Sequence, residues 1–451
     1  MFRYGQFDRD RLRSCPAGPM TLETYTHMRL HASSMNLFPE RADPEAGPSL
    51  RRLLAADAVV THFQPIFSVR QRSIVGMEAL SRGQWPNGRL IAPYELFKMA
   101  TAEDLGAELE SRCRQTAVQT FAGLASRPDE LLLFLNLDIA ATDDHEELPA
   151  ALAALVQRSN LLPRNVAVEF LEARLEDVGR FGALADALRG HGFLVVLDDV
   201  GAGHSNLDRI PLFRPDVIKV DRSLISGVGD DFYKQETLKS LVNLSRRIGA
   251  LVVAEGIETD AEAIVALELG VDLLQGFFLS RPQPATAFDG GVRAARGIEQ
   301  LAQRFKSHMV GEINERKRQH RRFNVIQNGI LCDLTNAKAA EFDEILLHLI
   351  DDFPKVECVY VLDDAGIQVT ETICNAAVTQ RPGAAMFRPA RKGTDHSLKE
   401  YYYVLIDVEL QRYTTDPYVS LASGNLCRTI STCFRDAANN RLYVLCVDVN
   451  P

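Results

Sequence analysis

A series of short apolar runs separated by helix-like stretches limits most strongly what this chain can fold into. The runs are His62–Phe67, Ile74–Leu80, Leu131–Leu137, Val166–Phe170, Phe193–Leu197, Val217–Val220, Leu251–Ala254 and Leu273–Phe278. Between most of them lie segments such as Ala183–Arg189, Lys234–Arg247 and Ala261–Leu269, where Ala, Leu and Glu recur at helical spacing. Strands alternating with helices predict an α/β barrel or a doubly wound sheet, and eight runs favour the barrel. One connection departs from an ideal barrel. Only Ser68–Ser73 joins the first two runs, whereas a parallel crossover needs about a dozen residues. The expected fold is therefore a TIM-like (β/α)8 barrel with one antiparallel strand.

The barrel occupies residues 49–290 of a 451-residue chain. Residues 1–48 mix Arg, Pro, Gly and Ser without a period and read as an irregular leader. Residues 291–330 read as one long connecting helix with a single apolar stripe of Ile298, Leu301, Phe305, Met309 and Ile313. Its basic run, Arg316 to Arg322, reads as a solvated helix face. The sharper reading is a signalling helix packed against its twin in a dimer. Residues 331–451 form a hairpin-rich α+β block, with a helix over Ala339–Asp352 and strands at Val356–Leu362, Gln368–Thr372, Tyr401–Val408 and Leu442–Val449.

Composition excludes some functions. At 46% hydrophobic and 24% charged the chain is not disordered. Fifty Lys and Arg against 60 Asp and Glu leave a net charge of −10, which argues against binding a nucleic-acid polymer or an anionic membrane. No uncharged apolar stretch reaches the roughly 20 residues of a membrane span. The first thirty residues lack a signal-peptide core, so a cytoplasmic location is expected. The eight cysteines include no C-x-x-C, and Cys358, inside an apolar run, reads as a reduced, buried thiol.

The strand ends carry the chemistry. They present Glu78, Asn136, Glu169, Asp198 with Asp199, Lys219, Glu255 and Gln275 in chain order. In a barrel these ends converge on one mouth. Two like charges 4 Å apart repel by about 4 kcal/mol at an effective dielectric near 20. Five carboxylates therefore call for cations, and all-oxygen ligands point to Mg²⁺ or Mn²⁺ rather than zinc. Two divalent ions and the Lys219 ammonium would neutralise the five, leaving Arg82 to meet an incoming phosphate. Asp198, next to Asp199 at a strand end, is the natural bridge between two metals that activate a water against a phosphodiester.

Glu78-Ala79-Leu80 with Arg82, preceded by Phe63-Gln64-Pro65-Ile66, resembles the signature of EAL-domain cyclic-di-GMP phosphodiesterases. The likeness spans roughly residues 50–290 and includes Asn136, Glu169 with Glu172, Asp198-Asp199, Lys219-Val220-Asp221-Arg222-Ser223, Ala254-Glu255-Gly256-Ile257-Glu258 and Gln275-Gly276. It implies a barrel with one antiparallel strand and hydrolysis of cyclic-di-GMP to linear pGpG. Glu78, Asn136, Glu169 and Asp198 would hold one metal, and Asp198, Asp199 and Glu255 the other. Lys219 would position the nucleophilic water and assist its deprotonation, with Glu255 and Glu78 completing the catalytic set. Gln64, Arg82 and Asp221 would bind the dinucleotide, Glu258 and Gln275 would support the metal shell, and Glu172 would tie down the loop after the fifth strand. That loop, Asp199-Val-Gly-Ala-Gly-His-Ser-Asn206, departs from the family pattern at Val200, His204 and Asn206, and Leu171 replaces the usual Thr. No Gly-Gly-Asp/Glu-Glu-Phe cyclase signature is present.

The C-terminal block resembles PAS- or Cache-like regulatory domains in the stretches 393–402 and 412–425. This implies a small-ligand pocket, although a buried polar network of His396, Arg412 and Asp416 explains the same residues equally well, and a dimerisation platform is a third reading. The leading expectation is a metal-dependent phosphodiesterase, a homodimer regulated by this domain. The alternative is a non-catalytic cyclic-di-GMP receptor, which the retention of every ligand position and of Lys219 disfavours.

Overall fold

The computed structural model describes residues 49–125, 127–138, 146–171, 178–202, 209–376 and 386–450. The leader, Glu172, His204 and Asn206 lie outside them. Contacts divide the chain into two units, Met1–Met309 and Val310–Pro451.

The first unit is a closed barrel of eight strands: β1 (Val59–Ser68), β2 (Ser73–Gln84), β3 (Leu132–Leu137), β4 (Val166–Leu171), β5 (Leu194–Val200), β6 (Val217–Val220), β7 (Leu251–Ala254) and β8 (Leu273–Leu274). Strands β2 to β8 are parallel neighbours, and β1 closes the ring antiparallel to both β2 and β8. The tight hairpin between β1 and β2 forces this reversal, because it leaves no room for a crossover helix. At the lower rim two aspartates each satisfy the second amide of a strand: Asp216 accepts from Val195 N (2.8 Å) and Asp272 from Val252 N (3.0 Å).

Strand alternation sorts the barrel residues into two shells. Leu133, Leu135, Val166, Val168, Phe170, Val195, Leu197, Ile218 and Val252 point outward into the large core beneath the helices. Ile66, Phe134, Ala167, Val196, Val217, Val253 and Leu273 point inward and fill the barrel floor. The covering helices are α1 (Leu50–Ala55), α2 (Pro93–Ala102), α3 (Gly106–Ala122), α4 (Leu148–Arg158), α5 (Val178–Gly190), α6 (Phe232–Ile248) and α7 (Asp260–Glu268). Two of them carry chemical start signals. Asp231 caps α6 by accepting from Tyr233 N (2.9 Å), and Thr259 with Glu262 forms a reciprocal capping box on α7.

The eighth apolar run was expected to be a strand through Phe278, but ladder pairing stops at Leu274. The backbone then turns because Ile257 lies across it: Ile257 N donates to Gln275 O (3.0 Å), and Phe278 N donates back to Ile257 O (3.0 Å).

Helix α8 runs from Val292 to Thr335. Within the first unit its stripe is used: Ile298 and Leu301 are buried, and Phe305 packs on the barrel core. Arg304 pairs with Asp260 (2.8 Å) and His308 with Glu268 (2.7 Å).

The second unit holds an antiparallel sheet. Its order is Ile373–Cys374, β9 (Val356–Asp363), β11 (Leu442–Val449), β10 (Leu426–Arg435) and Arg412–Thr414. Ile330 and Leu334 of α8, with Phe342 and Leu346 of α9 (Phe342–Leu349), pack on one face against Val359, Val361, Leu445 and Val447. Tyr401, Tyr402 and Leu405 of α10 (Glu400–Ile406) cover Tyr360, Leu362, Val444 and Cys446 on the other.

Three expectations for this unit are corrected. Residues 401–408 were expected to be a strand; most of this run is helix α10, because Tyr401, Tyr402 and Leu405 share one buried face at helical spacing while Tyr403 and Val408 stay exposed. Residues 368–372 form no strand; they meet β9 through an isolated bridge from Gln368 to Leu362, Val369 N donating to Val361 O (2.9 Å) and Val361 N donating to Thr370 Oγ1 (2.9 Å). Cys358 is not a free thiol: it sits directly opposite Cys374 across an antiparallel pair, Cα atoms 4.1 Å apart, and the two form a disulfide.

Candidate active site

The site arises from the same alternation that builds the barrel floor. On each strand, the inward position next to the floor residue toward the mouth is polar. Phe134 is followed two residues on by Asn136, Ala167 by Glu169, Val196 by Asp198, Val217 by Lys219, Val253 by Glu255 and Leu273 by Gln275. On the reversed β1 the order inverts, so Gln64 precedes Ile66, and it pairs across the ladder with Glu78.

Lys219 lies at the centre, 1% exposed. Its Nζ lies 2.5 Å from Glu255 Oε1, 2.8 Å from Glu169 Oε1, and 3.4 Å from both Glu78 Oε2 and Asp198 Oδ1. Burial disfavours its charge, but Asp198, Glu169, Glu255 and Glu78 together hold the ammonium well above its ordinary pKa. Burial pushes Glu169 and Glu255 well above the usual carboxylate range, with Lys219 opposing and neighbouring carboxylates adding to the rise. Burial also acts to raise Glu78, yet Lys219, Gln275 and Asn136 outweigh it and hold Glu78 below its ordinary value.

Two amides orient Glu78. Asn136 Nδ2 donates to Oε1 (3.1 Å) and Gln275 Nε2 to Oε2 (2.5 Å). Gln275 also reaches Gln64 Oε1 (3.4 Å), whose Nε2 donates to Ser280 O (3.1 Å). Arg82, largely desolvated, donates to Ser81 O (2.9 Å) and faces the Glu78 charge.

The structure thus gathers Gln64, Glu78, Asn136, Glu169, Asp198, Asp199, Lys219, Glu255 and Gln275 at one mouth. Two expected residues point elsewhere. The Asp221 carboxylate accepts from Ser223 N (2.8 Å), and Glu258 pairs with Arg222 (2.7 Å). His62 was not anticipated. It shares the inward parity of Gln64, a signal present in the run itself, and burial with the nearby Arg82 charge lowers its pKa.

The donor set fits divalent cations. One carboxylate oxygen from each of Asp198, Asp199 and Glu255 lies within 4.8 Å of the others. Glu169 is wholly buried and accepts no hydrogen bond with proper geometry; its contact is the Lys219 ammonium. One ammonium cannot neutralise five clustered carboxylates, and oxygen-only donors suit hard ions.

Comparison with known proteins places this barrel. The chain is 27% identical over 246 residues to signaling protein YkoW of Bacillus subtilis, covering 53% of this chain and 30% of that protein. It is 28% identical over 242 residues to the bifunctional diguanylate cyclase/cyclic di-GMP phosphodiesterase MucR of Pseudomonas aeruginosa, covering 52% of this chain and 35% of MucR. The chain therefore spans about a third of the length of these two curated relatives. The EAL-domain containing protein YkuI of Bacillus subtilis is 24% identical over 390 residues, covering 83% of this chain and 91% of YkuI. The crystal structure of YkuI in complex with substrate c-di-GMP and calcium shares the fold, with a TM-score of 0.74, 23% identity, and coverage of 90% of this chain and 99% of that one. Among the described residues no helix is long and apolar enough to cross a membrane. Residues 48–282, more than half of the chain, match the model of the EAL domain, and the chain belongs to the EAL domain family.

Proposed function

We propose that this protein hydrolyses cyclic-di-GMP to linear pGpG with the help of two divalent cations, Mg²⁺ or Mn²⁺. Relatives named as cyclic di-GMP phosphodiesterases support the hydrolase role. The observation that carries the reading is the Lys219 ammonium enclosed by Glu78, Glu169, Asp198 and Glu255 at the barrel mouth. Glu78, Asn136, Glu169 and Asp198 would hold one cation; Asp198, Asp199 and Glu255 would hold the other. Bound there, the pair supplies an acidified water and charge stabilisation for the leaving oxygen.

The chain's own groups do the rest. Lys219 keeps the attacking water oriented, with its ammonium near the phosphodiester, and assists loss of the water's proton. Arg82 neutralises a non-bridging phosphate oxygen, and Gln64 holds the dinucleotide at the mouth. Asn136 and Gln275 fix both oxygens of Glu78, so that carboxylate is presented without searching rotamers. Asp221 acts from the rim by capping the segment after β6, and Glu258 by pairing with Arg222.

We take residues 49–290 as the phosphodiesterase barrel, 291–330 as a connecting helix and 331–451 as a PAS- or Cache-like regulatory domain of a cytoplasmic homodimer. Purified protein incubated with cyclic-di-GMP and Mg²⁺ or Mn²⁺ should yield pGpG on chromatography. Tight dinucleotide binding without product under either metal would make the protein a receptor instead.

A further inference from the structure

The turn that carries Glu255 is held between two surfaces. On one side is the backbone after β8: a side chain at Gly276 would collide with the Ile257 carbonyl, so only glycine lets the two segments close. On the other side is a single side chain, Arg222. Gly256 adopts φ +64°, and a Cβ there would lie 2.6 Å from Arg222 Cβ and Cγ. The aliphatic stem of Arg222 therefore lies flat on the Gly256 backbone. Its guanidinium continues past the turn to Glu258, at 2.7 Å.

Arg222 in turn belongs to a segment tied to β5. Asp221 N donates to Val200 O (3.0 Å) and Ser223 Oγ to Gly201 O (3.2 Å), immediately after Asp198 and Asp199. Glu255 N donates to Val220 O (3.0 Å). The segment after β6 thus bridges the two rims whose carboxylates come within 4.8 Å of one another.

We infer that Arg222 is a positioning residue which, by packing on Gly256 and pairing with Glu258, sets the distance of Glu255 from Asp198 and Asp199 and so the affinity of that cluster for a divalent cation. This rests on the reading that the cluster holds cations. The ion pair of Arg222 is about a third exposed on each side, and pairs of that kind contribute little to stability. What it supplies is geometry, since a rim carboxylate displaced by a fraction of an ångström loses its share of a bridged site.

The test is a double-mutant cycle on the full chain, read by Mn²⁺ titration with electron paramagnetic resonance of the free ion. Arg222→Met and Glu258→Gln should each weaken Mn²⁺ binding about tenfold. The double variant should be no worse than either single within about twofold, because both remove one link. Arg222→Lys, which keeps stem and charge, should recover most of the affinity. In metal-free buffer all four should melt within about 2 °C of the parent. For turnover, kcat should fall while the KM for cyclic-di-GMP holds. Unchanged Mn²⁺ affinity in Arg222→Met, or additive losses in the double variant, overturns the inference. If the parent binds Mn²⁺ but forms no pGpG, the phosphodiesterase reading fails alone, and the Mn²⁺ cycle still judges Arg222.

Discussion

Lys219 Nζ lies 2.8 Å from Glu169 Oε1, and neither side chain is more than 1% exposed. A lysine and a glutamate two strands apart in the barrel meet where water does not reach either of them. Such a pair is costly to build and costlier to break, because removing one partner leaves an uncompensated buried charge. That asymmetry shapes the first prediction.

Lys219→Met should lower turnover by roughly 10²–10³-fold, the usual span for losing one charge-stabilising donor. Dinucleotide binding, measured by calorimetry with Ca²⁺ in place of Mg²⁺, should survive. Without metal the variant should melt well below the parent. An unaltered kcat would remove Lys219 from the chemistry.

Glu78→Ala should abolish measurable turnover, a loss on the order of 10²-fold or more, because it deletes a cation ligand and orphans the Asn136 and Gln275 amides. The same variant should need far more Mn²⁺ to saturate. Normal Mn²⁺ affinity would place the cation elsewhere.

Cation binding should be coupled to proton release. Burial raises Glu169 and Glu255 well above the ordinary range, so each holds a proton further toward neutral pH without metal. The cation must displace those protons. Mn²⁺ affinity should therefore rise with pH and fall as pH drops through the raised values. The stability these two groups contribute to the metal-free protein is present at low pH and lost as pH rises through their folded pKa values, and Mn²⁺ should offset that loss. Calorimetry in buffers of different ionisation enthalpy counts the protons; a count of zero would contradict the burial argument.

The C-terminal sheet carries its own titration. Burial pushes Asp448 up to about 7, opposed by the hydrogen bond from Thr429 Oγ1 (2.6 Å) and reinforced by Glu357. With a folded pKa above the unfolded one, its contribution is complete below about pH 4 and is lost as pH rises through 7. Asp448→Asn keeps the Thr429 bond and abolishes the titration. It should raise stability at pH 8 by on the order of 4 kcal/mol and do little at pH 4. Chemical denaturation at both pH values checks this, and equal effects at the two would refute it.

The C-terminal unit shows where sequence pattern stopped being informative. His396 lies in a buried network: its Nδ1 meets the Tyr401 hydroxyl (2.7 Å) and its Nε2 the Gln368 carbonyl oxygen (2.9 Å). The Gln368 amide nitrogen is engaged by Thr370 O (2.9 Å), so the imidazole proton resides on Nε2. Arg412 instead bonds Asn324 and Asn328 of α8, and Asp416 is exposed. Strand β10 does not read as an apolar run because Cys427-Arg-Thr-Ile-Ser-Thr432 sets a single buried aliphatic, Ile430, among buried hydroxyls and a thiol. In helix α10, Tyr401-Tyr-Tyr-Val-Leu-Ile406 has strong β preference, which packing on β9 and β11 overrides.

Apolar period, strand number, the short β1–β2 connection and the polar residue at each strand end were all legible in the chain, because each depends on neighbours a few residues apart. Three-dimensional packing alone decided that Glu258 faces Arg222, that β8 ends at Leu274, and that Lys219 sits inside four carboxylates. Those outcomes depend on groups tens to hundreds of residues apart competing for the same few ångströms. Local periodicity specifies which face a side chain takes, whereas the partner it meets there is set by closure of the barrel.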